Sequence, residues 1–214
     1  MFTAFEGIDG SGKSTAVRGT VKILSEKFNC IKLPVVTAEP TGDETGVFIR
    51  KRLSSGKNDV FFNREMALLF AADRLHHTNT VINPALENNT PVISDRYLFS
   101  SLAYQSVFID YEWVKNINKF AVVPDVTVFI DVSIETAVSR IEKNRANLDL
   151  YETADFLSRV QRQYKHILDD YKKETEVIVV DGNGSESSVL KEIELKLLPF
   201  FEDQMKGDVH GKSC

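Results

Sequence analysis

The chain has 214 residues, enough for one domain with a full hydrophobic core, or one domain carrying an elaborated lid. Hydrophobic residues at 43% and charged residues at 27% are the proportions of an ordinary soluble protein, and a net charge of −5 argues against a bulk nucleic-acid binder. Cys30 and Cys214 lie too far apart in sequence to suggest a disulfide framework; with no apolar stretch of membrane-spanning length and no room for a signal peptide before the first strand, the expected setting is a reducing cytoplasm.

The apolar run Phe2 to Phe5 predicts a first strand, and Val17, Val21, Leu24 and Phe28 follow at helical spacing. Between them Gly7, Gly12, Lys13 and Ser14 fill the four fixed positions of G-x-x-x-x-G-K-[ST], the phosphate-binding P-loop. The glycines let successive N–H groups point at phosphate oxygens, Lys13 supplies a point charge, and the Ser14 hydroxyl is a Mg²⁺ ligand. Gly7, Gly10, Ser11, Gly12, Lys13, Ser14 and Thr15 are therefore the candidate cradle for ATP, at a helix N-terminus.

Ile31 to Val36 predicts a second strand ending in the loop Thr37-Ala38-Glu39-Pro40-Thr41-Gly42, placed where open α/β sheets bind ligands. Arg50, Lys51 and Arg52 read first as a solvated helix face, with one of them able to reach an anion. From Asn63, a good N-cap type, Met66, Phe70 and Arg74 share a helix face. On residues alone Phe70 reads as core before it reads as a base platform, and Arg74 as a surface charge. His76 and His77 have no metal-spaced partner and read as surface or packing residues.

Thr80 to Asn89 predicts a helix, and Val92 to Ser94 a third strand that stops at Asp95-Arg96-Tyr97. Asp95 is a candidate for holding Mg²⁺ through water, and Arg96 for clamping a phosphate; a buried Asp–Arg pair tying strand to helix is the alternative. Ser101, Tyr104 and Gln105 share a face that can read a base edge or stand exposed. Val126 to Asp131 predicts the fourth strand, and Ser133 caps a helix with Ala137, Val138 and Ile141 inward. A helix–polar loop–helix at about residues 140–152 reads as a lid, with Arg140, Lys143 and Arg145 either working or merely solvated.

Val177 to Val180 predicts the fifth strand, ending in Asp181-Gly-Asn-Gly; the last helix starts near Ser185, and its pattern decays after Pro199. Strands alternating with helices predict an α/β fold: a three-layer P-loop NTPase domain over residues 1–204, with a five-stranded parallel sheet, a helical lid, and a disordered tail at 205–214.

In order and spacing, Phe-Glu-Gly-Ile-Asp-Gly-Ser-Gly-Lys-Ser-Thr, Glu39-Pro40, Leu-Leu-Phe70-Ala-Ala-Asp-Arg74, Asp95-Arg96-Tyr97 and Ser101-Leu-Ala-Tyr104-Gln105 resemble the thymidylate kinase family from Phe5 to about Leu198. The resemblance implies phosphoryl transfer from ATP to dTMP with Mg²⁺, these two small-molecule substrates, no nucleic-acid or membrane partner, and a homodimer. It places Asp9 near the sugar 3′-hydroxyl and the metal shell. Glu39 and Pro40 fall in the acceptor site, Arg50 and Arg96 on the acceptor phosphate, Phe70 against thymine and Arg74 at its O4. Ser101 and Gln105 would meet the far edge of the base, and Tyr104 would fill the space of a ribose 2′-hydroxyl.

Family members place catalytic positive charge either in the P-loop or in the lid. Gly10 stands at the P-loop position here, so the resemblance points to the lid, with Arg140 beside ATP and Arg145 as the catalytic arginine. Two departures from the pattern are Ala38, where bacterial relatives usually have arginine, and Asn147-Leu-Asp-Leu-Tyr-Glu152 in place of Asp-Arg-x-x-Glu. The rival readings are another small-molecule P-loop kinase and a nucleotide switch; Asn118-Lys119-Phe120-Ala121 lacks the Asp of a guanine-reading element.

Overall fold

The computed structural model describes residues 1–28, 32–55, 58–144 and 153–209. Its centre is the strand β1 (Phe2–Glu6), every residue of which is buried. On either side lie β3 (Val92–Asp95) and β4 (Val126–Asp131), and the edges are β2 (Val35–Ala38) and β5 (Glu176–Asp181). The order β2-β3-β1-β4-β5 is parallel throughout, as predicted.

Alternation along β1 divides the core in two. Phe2 and Ala4 face one layer, with helices α4 (Asn83–Glu87), α5 (Leu98–Gln105), α7 (Ile134–Asn144) and α8 (Ala154–Tyr171) contributing Ala85, Leu102, Ala137 and Tyr164. Phe5 faces the other, where α1 (Lys13–Lys27) and α9 (Glu186–Val209) contribute Val17, Leu24, Ile193 and Leu197. A smaller cluster of Ile49, Phe62 and Met66 joins α2 (Glu44–Leu53) to α3 (Val60–His77), and α6 (Tyr111–Ile117) packs beside α5. Helices on both faces of a parallel sheet make the three layers.

Several boundaries differ from the sequence reading. The second strand starts at Val35 and runs on through Thr37 and Ala38. Pro34 has no N–H to give a ladder, and pairing begins where Val35 donates to the Pro91 carbonyl at 2.8 Å. α3 begins at Val60, capped by Asp59, whose carboxylate accepts from the Phe61 and Phe62 amides; Asn63 lies inside the helix, buried. The helix predicted from Thr80 is the continuation of α3 through a π-helical stretch, Thr78–Ile82, into α4. Pro84 removes an amide from that turn, and Asn83 reaches back to the Thr78 carbonyl instead. α9 passes through Pro199 to Val209, five residues into the stretch read as a tail. The carbonyl freed by Pro199 belongs to Leu195, 76% exposed, where water can satisfy it. No helix among the described residues is long and apolar enough to cross a membrane.

Candidate active site

The loops after the strands gather at the carboxyl ends of the sheet, where α/β folds bind ligands. After β1 the chain turns through Gly10 and Gly12, at φ 76° and 94°, backbone that glycine adopts without strain. A Cβ on Gly10 would stand 2.4 Å from the Ala137 carbonyl of α7, so the P-loop and α7 are packed backbone to backbone. Lys13 opens α1; its ammonium donates to the Ile8 carbonyl at 2.7 Å and to Ser11 Oγ at 3.3 Å. Burial, with the Arg96 charge adding to it, lowers the Lys13 pKa to about 7 against the pull of Asp9, Asp95 and Glu6.

The Ser14 hydroxyl donates to the Asp95 carboxylate at the mouth of the P-loop. These two oxygen ligands suit Mg²⁺, which keeps several waters and takes its remaining ligands from phosphate. Among the described residues no group of three or more His, Cys, Asp or Glu is arranged to hold a metal. Beside the P-loop opens a cavity of about 630 Å³ lined by Gly12, Thr15, Arg140, Gly182, Gly184 and Leu190. The Arg140 guanidinium reaches the carbonyls of Gly10, Ser11 and Gly184, each at 3.4 Å.

Across the P-loop sits a second cluster. Arg96 has φ 67°, left-handed backbone that is rare for a residue with a side chain, and its guanidinium donates to the Asp9 carboxylate. Tyr104 gives its hydroxyl proton to Asp9 Oδ2 and accepts from the Asp9 amide, both at 2.9 Å, with Arg96 lying 5.0 Å from its ring centroid. Burial pushes the Asp9 carboxyl up, but Arg96 and Lys13 outweigh it and leave the pKa below the ordinary value. Burial, with the Asp9 carboxylate adding to it against the pull of Arg96, drives the Tyr104 phenol far above its ordinary range.

Deeper still is Arg74, 1% exposed. It donates to Glu39 Oε2 and Ser101 Oγ, each at 2.6 Å, and to Asn118 Oδ1, and lies 5.3 Å from the Tyr97 ring centroid. Among the described residues its Nε has no partner, and neither has the buried Oε1 of Gln105. Phe70 is half-buried against Ile49, Phe62 and Met66. The Glu39–Pro40 peptide is cis, and Arg50 donates to the carbonyls of Pro40 and Thr41.

The thymidylate kinase family model matches residues 5–193. The chain belongs to the thymidylate kinase family. A protein named "Probable thymidylate kinase" from Methanococcus aeolicus is 38% identical over 92% of this chain and 95% of its own length. One of the same name from Methanocaldococcus jannaschii is 41% identical over 85% and 86%. A "Thymidylate kinase" of onion yellows phytoplasma is 34% identical over 96% of this chain and all of its own.

Within this thymidylate kinase fold the residues expected at the site fall into two neighbourhoods. Gly7, Gly10, Ser11, Gly12, Lys13, Ser14, Thr15 and Arg140 gather at the P-loop, while across it Asp9, Arg96 and Tyr104 form one cluster and Glu39, Arg74 and Ser101 another. Arg145, Asn147 and Glu152 lie outside the described residues. Arg74 is no surface charge, and Arg50 and Arg52 part company, the latter pairing with Glu65 at 2.9 Å. Asp95 and Arg96 turn to Ser14 and Asp9 rather than to each other.

His77 is buried and bonds Glu39 at 3.0 Å through Nδ1 and Thr37 at 2.7 Å through Nε2. Asp73, Asn118, Gly182 and Gly184 have no site role on sequence grounds. For the last two the signal was present in Asp181-Gly-Asn-Gly, a glycine turn at the carboxyl end of a strand. Asp73 holds the Thr41 amide at 2.8 Å and hydroxyl at 2.7 Å, a role invisible without the fold.

Proposed function

We propose that the protein transfers the γ-phosphoryl group of ATP to dTMP, giving dTDP for dTTP synthesis, by in-line displacement assisted by Mg²⁺. The observation that carries the reading is the pair of buried, unpartnered polar atoms, Arg74 Nε and Gln105 Oε1, in a chain of this family. An N–H donor and a carbonyl acceptor complement the O4 and N3–H of thymine, and a base that pairs with both removes the cost of leaving them unmet. Phe70 supplies a face for stacking.

The acceptor is a phosphate monoester whose second pKa is about 6, so it is largely dianionic at neutral pH and needs no general base. The protein must position it in line and absorb spreading negative charge. Arg96 and Arg50 hold the acceptor phosphate, with Asp9 aiming Arg96 and Tyr104 filling the space beside the sugar. Lys13 moves from the Ile8 carbonyl to the β/γ oxygens, where its proton is retained by the phosphate charge. Bound at Ser14 and, through water, Asp95, Mg²⁺ would neutralise charge on the same oxygens. Arg140 and the Gly182–Gly184 turn flank the adenine end, and Arg145 completes the positive charge.

The homodimer belongs to this reading too. Phe61, Leu68 and Leu75 recur every seven residues on the outer face of α3 and are 77%, 52% and 43% exposed, an apolar stripe suited to a second copy. The setting is the cytoplasm. Purified protein with ATP, Mg²⁺ and dTMP, assayed for ADP release with thymidine as the alternative acceptor, tests the activity. Turnover of thymidine but not dTMP rejects it, and sedimentation as a monomer at micromolar concentration rejects the dimer.

A further inference from the structure

The last residue of β1, Glu6, is a carboxylate with no exposed surface, and nothing in the reaction as described above uses it. It is met by four donors. Oε1 accepts from the Tyr97 amide at 3.0 Å and the Ser100 amide at 3.2 Å. Oε2 accepts from Ser100 Oγ at 2.6 Å and from the Tyr164 hydroxyl at 3.0 Å. Four donors fill the lone-pair sites of one carboxylate.

What those donors belong to gives the arrangement its meaning. α5 starts at Leu98, and its own N-cap residue, Tyr97, provides no side-chain acceptor. Glu6 satisfies the first amides of α5 from another strand, as an N-cap carboxylate would. The residue just before that capped turn is Arg96, held in left-handed backbone. Ser100 Oγ, fixed by Glu6, in turn accepts from Arg96 Nη1 at 3.0 Å, and the Gly7 carbonyl accepts from the same nitrogen at 3.3 Å. Tyr164 also reaches the Gly7 carbonyl, at 3.3 Å. The carboxylate thus touches the turn that carries Arg96, the hydroxyl that aims its guanidinium, and the root of the P-loop.

We infer that Glu6 is a positioning residue for phosphoryl transfer: through the Tyr97 and Ser100 amides and Ser100 Oγ it holds Arg96 in the orientation that meets the acceptor phosphate. The inference rests on the assignment of Arg96 to that phosphate. Burial pushes the Glu6 carboxyl above its ordinary pKa against the pull of Ser100, Arg96 and Tyr164. Glutamine is nearly the same size, yet it brings an NH₂ to Ser100 Oγ. That hydroxyl must then accept from both Gln and Arg96, and the orientation of the guanidinium loosens.

The test is steady-state kinetics with dTMP and ATP varied separately. Glu6→Gln is expected to lower kcat/KM for dTMP by about tenfold or more, since small misplacements of a positioned group cost factors of this order, while KM for ATP stays near wild type. Ser100→Ala keeps the Glu6 contacts to both amides and removes the hydroxyl that joins Glu6 Oε2 and Tyr164 to Arg96; it should show the same split, and Ser100→Thr, which restores the hydroxyl, should recover activity. Should Glu6→Gln fail to fold, the Ser100 pair decides by itself. Dimension by dimension, dTMP kinetics within about twofold of wild type in the folded variants, or equal losses for ATP and dTMP with no recovery in Ser100→Thr, overturn the inference. Wild-type protein silent on dTMP would instead reject the proposed function.

Discussion

Arg74 and Glu39 form an ion pair of 2.6 Å whose side chains are 1% and 3% exposed, joining α3 to the loop after β2. Ser101, Asn118 and His77 add further hydrogen bonds to the pair. A buried pair of this kind contributes little compared with a well-packed apolar substitute, but breaking it leaves a charge stranded. Glu39→Ala is therefore expected to cost about 3–5 kcal/mol of stability in urea denaturation. It should also raise KM for dTMP, because the loop holding Pro40 and Thr41 keeps only its Asp73 bonds to α3 and loses those of Arg74 and His77. Unchanged stability would mean that Arg74 finds water or another carboxylate.

Lys13→Met should abolish transfer while leaving the fold intact, because it removes a buried charge and keeps the aliphatic stem. It also makes a pH prediction for the nucleotide-free, metal-free protein. Folded Lys13 gives up its proton near pH 7, against 10.5 for the ordinary side chain. Between those values the unfolded chain binds a proton that the folded chain has lost, so this group makes stability rise with pH. Above about pH 10 the rise is opposed, since buried Tyr97 keeps a phenolic proton to about 12 that the unfolded chain releases at 10.0. Urea midpoints at about pH 7 and about pH 9.5 should differ more in wild type than in Lys13→Met. Parallel curves for the two proteins would count against the depressed pKa.

Much of the frame was legible in residue order. The P-loop, the strand end at Asp95-Arg96 and the Ser133 cap, whose Oγ accepts from the Thr136 amide at 3.2 Å, are local patterns that the fold keeps. Asp59 and Asn63 are both good caps, and only the position of the backbone decides between them. Buried polar residues were the hidden part. Arg74 reads as a surface charge until Glu39 and Asn118, 35 and 44 residues away, are brought to it. Glu6 reads as part of a motif, and its partner Tyr164 stands 158 residues downstream. Burial of a charge depends on long-range partners, and periodicity does not encode them.

Acceptor selectivity should run dTMP, then dUMP, then UMP. Losing the 5-methyl contact is worth about 1 kcal/mol or a little more, and a ribose hydroxyl against Tyr104 costs more. Tyr104 cannot swing aside cheaply, since Asp9 holds its hydroxyl at 2.9 Å. Equal kcat/KM for UMP and dTMP would sink the assignment of Tyr104.

Gly10→Ala should be far more damaging than a loop substitution usually is. The new Cβ would sit 2.4 Å from the Ala137 carbonyl at a φ of 76°, so α7 must shift. A loss of about 2–4 kcal/mol is expected in thermal or urea unfolding. KM for ATP should rise, because Arg140 on the same helix loses its reach to Gly10 and Ser11. The contact also explains why an arginine in this P-loop position has no room here.

Arg140 and Arg145 should separate kinetically. Arg140→Ala is expected to raise KM for ATP, given its bonds to the P-loop carbonyls. Arg145→Ala should lower kcat by about 100-fold with little change in KM for dTMP, the signature of a contact made mainly in the transition state. Collapse of kcat in Arg140→Ala with Arg145→Ala at wild-type rate would reverse the assignment, and wild-type rates in Arg140→Ala, Lys143→Ala and Arg145→Ala would end it.

Phe5 stands opposite Asp95 in the β1–β3 ladder, and the Arg96 amide donates to the Phe5 carbonyl at 2.9 Å. The spacing between the P-loop that leaves β1 and the Arg96 turn that leaves β3 is therefore set by backbone pairing at the centre of the sheet, where each rung is fixed and a slip of one residue reverses every face. Lengthening a peripheral connection does not alter that spacing. Deleting one residue from β1 would move Glu6 out of reach of α5 and shift the P-loop against the Arg96 turn, so the shortest strand errors, rather than the largest loop changes, are the ones this enzyme should absorb least.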